Sequence, residues 1–236
     1  MSGSSNTVFK YYFNDFLVGR LVEGLIHNIN SPLQIASMNL ELLNMFKKSP
    51  PPFPDQIWER IKQIKDSIER IQHITDIMVK RKEFGEAGTT AVILEEIVKN
   101  ELEFWNADLF FKHNINKEIK LGETSNVVLV DAFLLIDLID AAIALQISML
   151  KFFREQGLNF AVRKKEDGQT IILTFERSGP SYEASTSGIL CPDEEDQEFF
   201  RLCNDVMFEA ASRLDSKIEV KGPSIALIFS KARRAR

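Results

Sequence analysis

The chain is poor in the residues that would mark several common protein classes. Among 236 residues there are two cysteines, Cys191 and Cys203, and no CxxC pair. Neither a disulfide framework nor a structural zinc is expected, and a reduced, cytoplasmic setting fits. The three histidines, His27, His73 and His113, show no HxxxH or HExxH spacing, so no metal site is expected. No Ser-His-Asp or Cys-His arrangement is suggested locally. No apolar run is long enough and clean enough to span a bilayer, because Asp137 and Asp140 interrupt the most apolar stretch, which reads as a core helix. The opening Met1-Ser2-Gly3-Ser4-Ser5-Asn6 lacks the charged and apolar regions of a signal peptide. A formal net charge of −5 argues against general nucleic-acid binding. The basic tail Lys231-Ala232-Arg233-Arg234-Ala235-Arg236 and the acidic run Asp193-Glu194-Glu195-Asp196 both read as solvated.

What remains is an ordinary globular composition, 44% hydrophobic and 27% charged, enough for one large or two small domains. Residues 8–48 read as one long helix. Phe9, Phe13, Phe16, Leu17, Leu21, Leu25, Ile29, Leu33, Ala36, Leu40 and Leu43 recur at helical spacing. Ser49-Pro50-Pro51-Pro52-Phe53-Pro54 stops it, and Asp55 can cap a second helix. That helix carries Ile57, Ile61, Ile64, Ile68 and Ile71, with Met78 a heptad further on, which is a coiled-coil seam. Two such helices and a short loop make a hairpin, expected over residues 8–84. One hairpin cannot bury all its apolar positions, whereas two can, as a four-helix bundle. A homodimer is the economical expectation, and a hairpin packed on its own C-terminal domain is the competing one.

Gly85-Glu86-Ala87-Gly88-Thr89-Thr90 is expected to break the helix as a linker. The second domain, residues 91–236, mixes both element types. Helices are expected at 92–104, 131–153 and 199–214. Strands are expected at 113–121, 127–130, 158–163, 170–176, 217–220 and 225–230, with a polar loop over 178–196. The fold class is α+β: a hairpin, then a two-layer α/β sandwich.

One segment stands apart: Leu21-Val22-Glu23-Gly24-Leu25-Ile26-His27-Asn28-Ile29-Asn30-Ser31-Pro32-Leu33. It places a histidine in a helical pattern and a proline five residues later, where an interior proline costs about 3 kcal/mol. Arg20, Glu23, Gly24, Asn30, Ser31 and Gln34 lie three, four or seven residues from His27 and so share its side of a helix. Gly24 is expected to leave room there for a partner. The segment resembles the phosphoacceptor box of two-component sensor histidine kinases, His-Glu-hydrophobic-Asn-x-Pro-Leu, with Asn28 at the acidic position. Further on, Val130-Asp131-Ala132-Phe133-Leu134-Leu135-Ile136-Asp137-Leu138-Ile139-Asp140-Ala141-Ala142-Ile143 is similar to the "Asp, then Asn-Leu-Leu-x-Asn-Ala" helix of the Bergerat-type ATPase domain in the same family. The order of box, hairpin, linker and ATPase-like domain extends the resemblance over most of the chain.

The departures from the family are chemical. Asp137 stands at the first helix asparagine, and Ala141, with no oxygen ligand, at the magnesium-binding one. After the strand near residue 173, Arg177 takes the place of the adenine-binding aspartate, unless the alignment slips by one and Glu176 does. No glycine box precedes the last helix. The resemblance therefore implies a histidine phosphotransferase that relays phosphoryl groups between response-regulator receiver domains through His27. Asn28, Asn30, Ser31 and Pro32 would support it, with no bound cofactor and with Mg2+ supplied by the receiver. Its implied partners are a second copy of the chain and receiver domains, with a hybrid sensor kinase as a further candidate. Neither nucleic acid nor membrane is expected. A non-catalytic receiver- or kinase-binding regulator, a phosphatase using Ser31, and a kinase with an eroded box are the alternatives.

Overall fold

A computed structural model describes residues 3–47, 55–153, 158–179, 184–185, 188–189 and 197–230. The proline stop, Cys191, the acidic run, the basic tail, most of the polar loop and residue 196 before the last helix lie outside these.

Two long helices lead. α1 (Gly3–Phe46) buries Phe13, Leu17, Leu21, Gly24, Leu25, Asn28, Pro32, Ala36 and Asn39, a single stripe at steps of three and four residues. α2 (Asp55–Ala87) packs along it in the antiparallel sense. Arg60 Nη1 donates to Asn39 Oδ1 at 3.3 Å near one end, and Arg81 Nη2 donates to Asn14 Oδ1 at 2.9 Å near the other. The isoleucine seam is not what α2 buries. Ser67, Ile74, Ile77 and Arg81 are buried, while Ile61 and Ile68 are exposed and Ile57, Ile64 and Ile71 only half-buried. α2 also runs through the residues expected to break it, as far as Ala87. The link to the next element is Gly88 alone, at φ 64°, a conformation that costs glycine nothing.

The rest is an α/β layer structure. β1 (Thr89–Ile93) pairs antiparallel with β3 (Val127–Asp131) in a small two-stranded sheet. Between them lie α3 (Leu94–Trp105), α4 (Leu109–Asn114) and β2 (Asn116–Lys120). The helix expected from residue 92 thus starts later, after a strand. His113, expected to open a strand, sits exposed in the last turn of α4, whose N-terminus is capped by Asp108 Oδ1 accepting from Phe111 N at 2.9 Å. α5 (Ala132–Phe153) follows, its first turn capped by Asp131 Oδ1. Then come β4 (Asn159–Asp167), β5 (Thr170–Arg177), the short β6 (Ala184–Ser185) and β7 (Gly188–Ile189), α6 (Gln197–Arg213), β8 (Lys217–Lys221) and β9 (Ser224–Ser230).

The main sheet has the order β2-β4-β5-β9-β8, with β2 parallel to β4 and the other pairs antiparallel. Its central strand alternates cleanly: Ile171, Leu173, Phe175 and Arg177 point into the core, and the residues between them are half-buried. α5 lies on that inner face, where Gln146 Nε2 donates to the carbonyls of Phe175 (2.7 Å) and Pro223 (3.2 Å). α5 is, among the described residues, the one helix long and apolar enough to cross a membrane, and 94% of that window is buried inside the fold. One core joins both parts of the molecule. Phe13, Leu17, Leu21, Leu25 and Ile77 of the hairpin belong to the same cluster as α3, α5, α6 and the sheet. The hairpin half near Phe13 and Ile77 is therefore docked on the α/β layers. Its far half carries Leu33, Met38, Leu40, Met45, Trp58, Ile61 and Ile68 as exposed apolar side chains.

Candidate functional site

His27 lies midway along α1 with its side chain exposed, and Arg20, Glu23, Asn30, Ser31 and Gln34 are exposed with it. The helical turn divides the five candidate site residues in two. His27, Asn30 and Ser31 occupy the open side, whereas Asn28 and Pro32, four residues apart, occupy the side that faces the protein.

Asn28 is a fastener. Its Nδ2 donates to the Asn106 carbonyl at 3.0 Å, and its Oδ1 accepts from Lys112 Nζ at 2.6 Å. Both partners belong to the α3–α4 region, so the residue beside the histidine holds the α/β layers to the hairpin. Pro32 has no N–H to return to the Asn28 carbonyl, and its ring is buried. Gly24 does not leave space for a partner, as its place near His27 had suggested. A Cβ built there would stand 1.6 Å from the Ala107 carbonyl oxygen, so the chain's own α3–α4 turn fills the space. Glycine is needed because backbone meets backbone.

A charged cluster is buried where α2 meets α3 and α5. Arg81 of α2 pairs with Glu101 of α3 and, through Nη2 at 2.7 Å, with Asp140 of α5, while Trp105 Nε1 donates to Asp140 Oδ1 at 2.8 Å. The side chains of Arg81, Glu101 and Asp140 are 5%, 2% and 0% exposed. The guanidinium also lies 4.1 Å over the Phe104 ring. Burial pushes the Asp140 carboxyl above the ordinary carboxylate range, against the downward pull of Arg81 and Trp105.

The positions that would handle nucleotide in the resembled family are also placed. Ala141 and Asp137 are buried in α5. Strand alternation sets residues 176 and 177 on opposite faces of β5. Arg177 faces the helices, buried, with Nη1 donating to the Ser178 carbonyl at 3.1 Å. Glu176 faces outward and pairs with Arg163, which reaches Glu118 at 2.6 Å.

Sequence reasoning overlooked Arg81, Glu101 and Asp140, and also Arg70, Lys112 and Lys117, which line a cavity beside Asn28. For Arg81 a signal existed: it follows Ile74 and Ile77 at helical spacing, as a further member of the inward stripe. In the sequence Asp140 shows only as an interruption in an apolar helix.

No family model matches the chain, and no curated protein matches it. Similar solved structures are histidine kinases. Acinetobacter baumannii histidine kinase AdeS has a TM-score of 0.44 at 15% identity, covering 88% of this chain and 98% of that one. Mycobacterial sensor histidine kinase MprB has a TM-score of 0.45 at 13% identity over 61% of this chain and 97% of that one. Histidine kinase ThkA in complex with response regulator protein TrrA has a TM-score of 0.45 at 14% identity, covering all of this chain and 70% of that one.

Proposed function

We propose that the protein is a homodimeric histidine phosphotransferase that passes phosphoryl groups between receiver domains through His27, without binding ATP. The observation that carries this reading is the division of the box. His27, Asn30 and Ser31 stand on an open helix face, while the residue at the acidic position, Asn28, is turned inward and consumed in two hydrogen bonds.

Phosphoryl transfer depends on positioning and charge stabilisation more than on covalent help from the protein. The unprotonated ring nitrogen of His27 attacks phosphorus in line. The bond from phosphorus to the aspartyl oxygen breaks, a P–N bond forms, and the aspartate leaves as a carboxylate. The second ring nitrogen still carries its proton, which an exposed imidazole can release to water. The Mg2+ that offsets phosphoryl charge would come with the receiver. The reverse sequence loads a second receiver.

Ala141 in α5 offers no metal-binding oxygen, and Arg177 fills the inner face of β5 with a buried cation where an acceptor would be required; both support a nucleotide-free role. The exposed apolar residues of the far hairpin half support a four-helix dimer. The α/β layers would serve as a receiver-docking surface. In the test, a phosphorylated receiver is mixed, without ATP, with wild-type protein and with His27→Ala. Acid-labile, base-stable label on the wild type alone is the expected result. Absence of label with every receiver tried would move the protein to a non-catalytic binding role.

Ser31 is exposed on the same face, four residues from His27, which favours a second activity: orienting water for dephosphorylation of a docked receiver. Ser31→Ala should then slow receiver dephosphorylation while leaving phosphohistidine formation intact.

A further inference from the structure

A cavity of about 260 Å³ opens where the hairpin meets the α/β layers. Three cations from three elements line it: Arg70 of α2, Lys112 of α4 and Lys117 of β2. A single carboxylate, Glu103, stands among them, with the amides of Asn28 and Asn106. The local balance is three positive charges against one negative, in a recess whose apolar wall includes Leu25 and Ile74.

The hydrogen-bond accounts leave donors unused. An ammonium has three N–H groups. Lys112 Nζ gives one to Asn28 Oδ1. Lys117 Nζ approaches Asn106 Oδ1 at 3.0 Å and the Lys112 carbonyl at 3.4 Å. Glu103 accepts from Asn106 Nδ2 at 3.0 Å. Arg70, with five donors, has no hydrogen-bond or ion-pair partner among the described residues. The charges feel one another. Burial first, then the charge of Arg70, lowers the Lys112 pKa from its ordinary value; burial, with a smaller push from Lys112, lowers that of Lys117.

Like charges gathered at one recess, with unused donors contributed by both parts of the fold and Arg70 itself exposed, call for an anion. We propose that this cavity binds a small oxyanion of the phosphate class, inorganic phosphate or a small phosphomonoester, which bridges Arg70 of the hairpin to Lys112 and Lys117 of the α/β layers. The volume lies just below the ~300–1,000 Å³ of drug-sized ligand pockets, so a small anion fits better than a nucleotide. Two or more charged donors match a dianion better than a carboxylate. Because Asn28 forms part of the wall, the bound anion would clamp the α/β layers at the residue next to His27 and so report the level of that anion to the relay face. The binding claim itself is independent of whether His27 is phosphorylated.

The test uses the full chain and needs no receiver. Sodium phosphate, glycerol 3-phosphate and sodium acetate are titrated at pH 7 against sodium chloride of equal ionic strength, with the thermal midpoint and calorimetric heat as readouts. At ten times Kd, the phosphate-class anions should raise the midpoint by about 3–6 °C in a saturable way. The stronger of the two identifies the source. Arg70→Gln and Lys117→Gln should each weaken binding by about tenfold, the effect of one charge-assisted hydrogen bond. Arg70→Gln removes repulsion and breaks no bond among the described residues, so without ligand it should be no less stable than wild type. The proposal is overturned by a shift no larger than that of chloride, by an equal shift with acetate, or by an equal shift in the double variant Arg70→Gln/Lys117→Gln.

Discussion

Arg81→Met is the perturbation with the largest expected consequence for the union of hairpin and α/β layers. Methionine keeps much of the stem's apolar volume but removes the guanidinium that serves Glu101, Asp140 and Asn14 at once. Two carboxylates, 2% and 0% exposed, would lose their only ion-pair partner among the described residues. Removing one member of a buried pair costs about 3–5 kcal/mol, because the charge left behind is uncompensated. For a chain of this size each kcal/mol moves the melting midpoint by about 2–4 °C, so a fall of roughly 6–20 °C is expected. The sign of the pH dependence follows from burial. A carboxyl whose folded pKa is raised, as that of Asp140 is, stabilises the fold below its ordinary pKa, and the contribution is lost as pH rises through the raised value. Without Arg81 the downward pull on Asp140 is lost and the rise is larger, so the variant's deficit should shrink on acidification from pH 7, as the orphaned carboxyl takes up a proton. Urea and thermal unfolding of both proteins from pH 7 downward would measure it. A loss below about 1 kcal/mol at pH 7, or a deficit that grows on acidification, would refute the account of the cluster as a paired charge site.

Two further substitutions probe other contacts. Gly24→Ala places a methyl carbon where the Ala107 carbonyl stands, so the α3–α4 turn must move. A cost of about 1–3 kcal/mol and faster proteolysis near residues 105–108 are expected, and an unchanged midpoint would show that the close approach is not maintained in solution. Leu40→Glu combined with Ile61→Glu puts charge on the exposed apolar half of the hairpin. Light scattering should show twice the chain mass for wild type and the single-chain mass for the variant, and a wild-type monomer would remove the four-helix dimer.

Much of this molecule is legible in its residues. The apolar period of α1, the long run of α5 and the alternating strands on either side of the turn at Gly168 appear where expected, because each is a local pattern repeated over many residues. The short elements β1 and α4 were missed because each is only a few residues long and takes its identity from partners far along the chain, β1 from β3 and α4 from its seat on the sheet. The isoleucines of α2 misled for a different reason. Helical spacing says that residues share a face, but not whether that face meets the same chain or another one. Ile74, Ile77 and Arg81 meet the chain's own core, and Ile61 and Ile68 stay outside it.

The same division runs through the candidate site. The sequence by itself determined that His27, Asn30 and Ser31 lie on one side of a helix, since three- and four-residue spacing is a property of the helix alone. Only the tertiary structure decided that Gly24 is filled by Ala107 and that Asn28 is spent on Asn106 and Lys112. It also decided that Arg81, Glu101 and Asp140 meet, and that Arg70, Lys112 and Lys117 line one cavity. These contacts join residues up to 84 positions apart. No local period encodes such a meeting, because it depends on how whole elements pack.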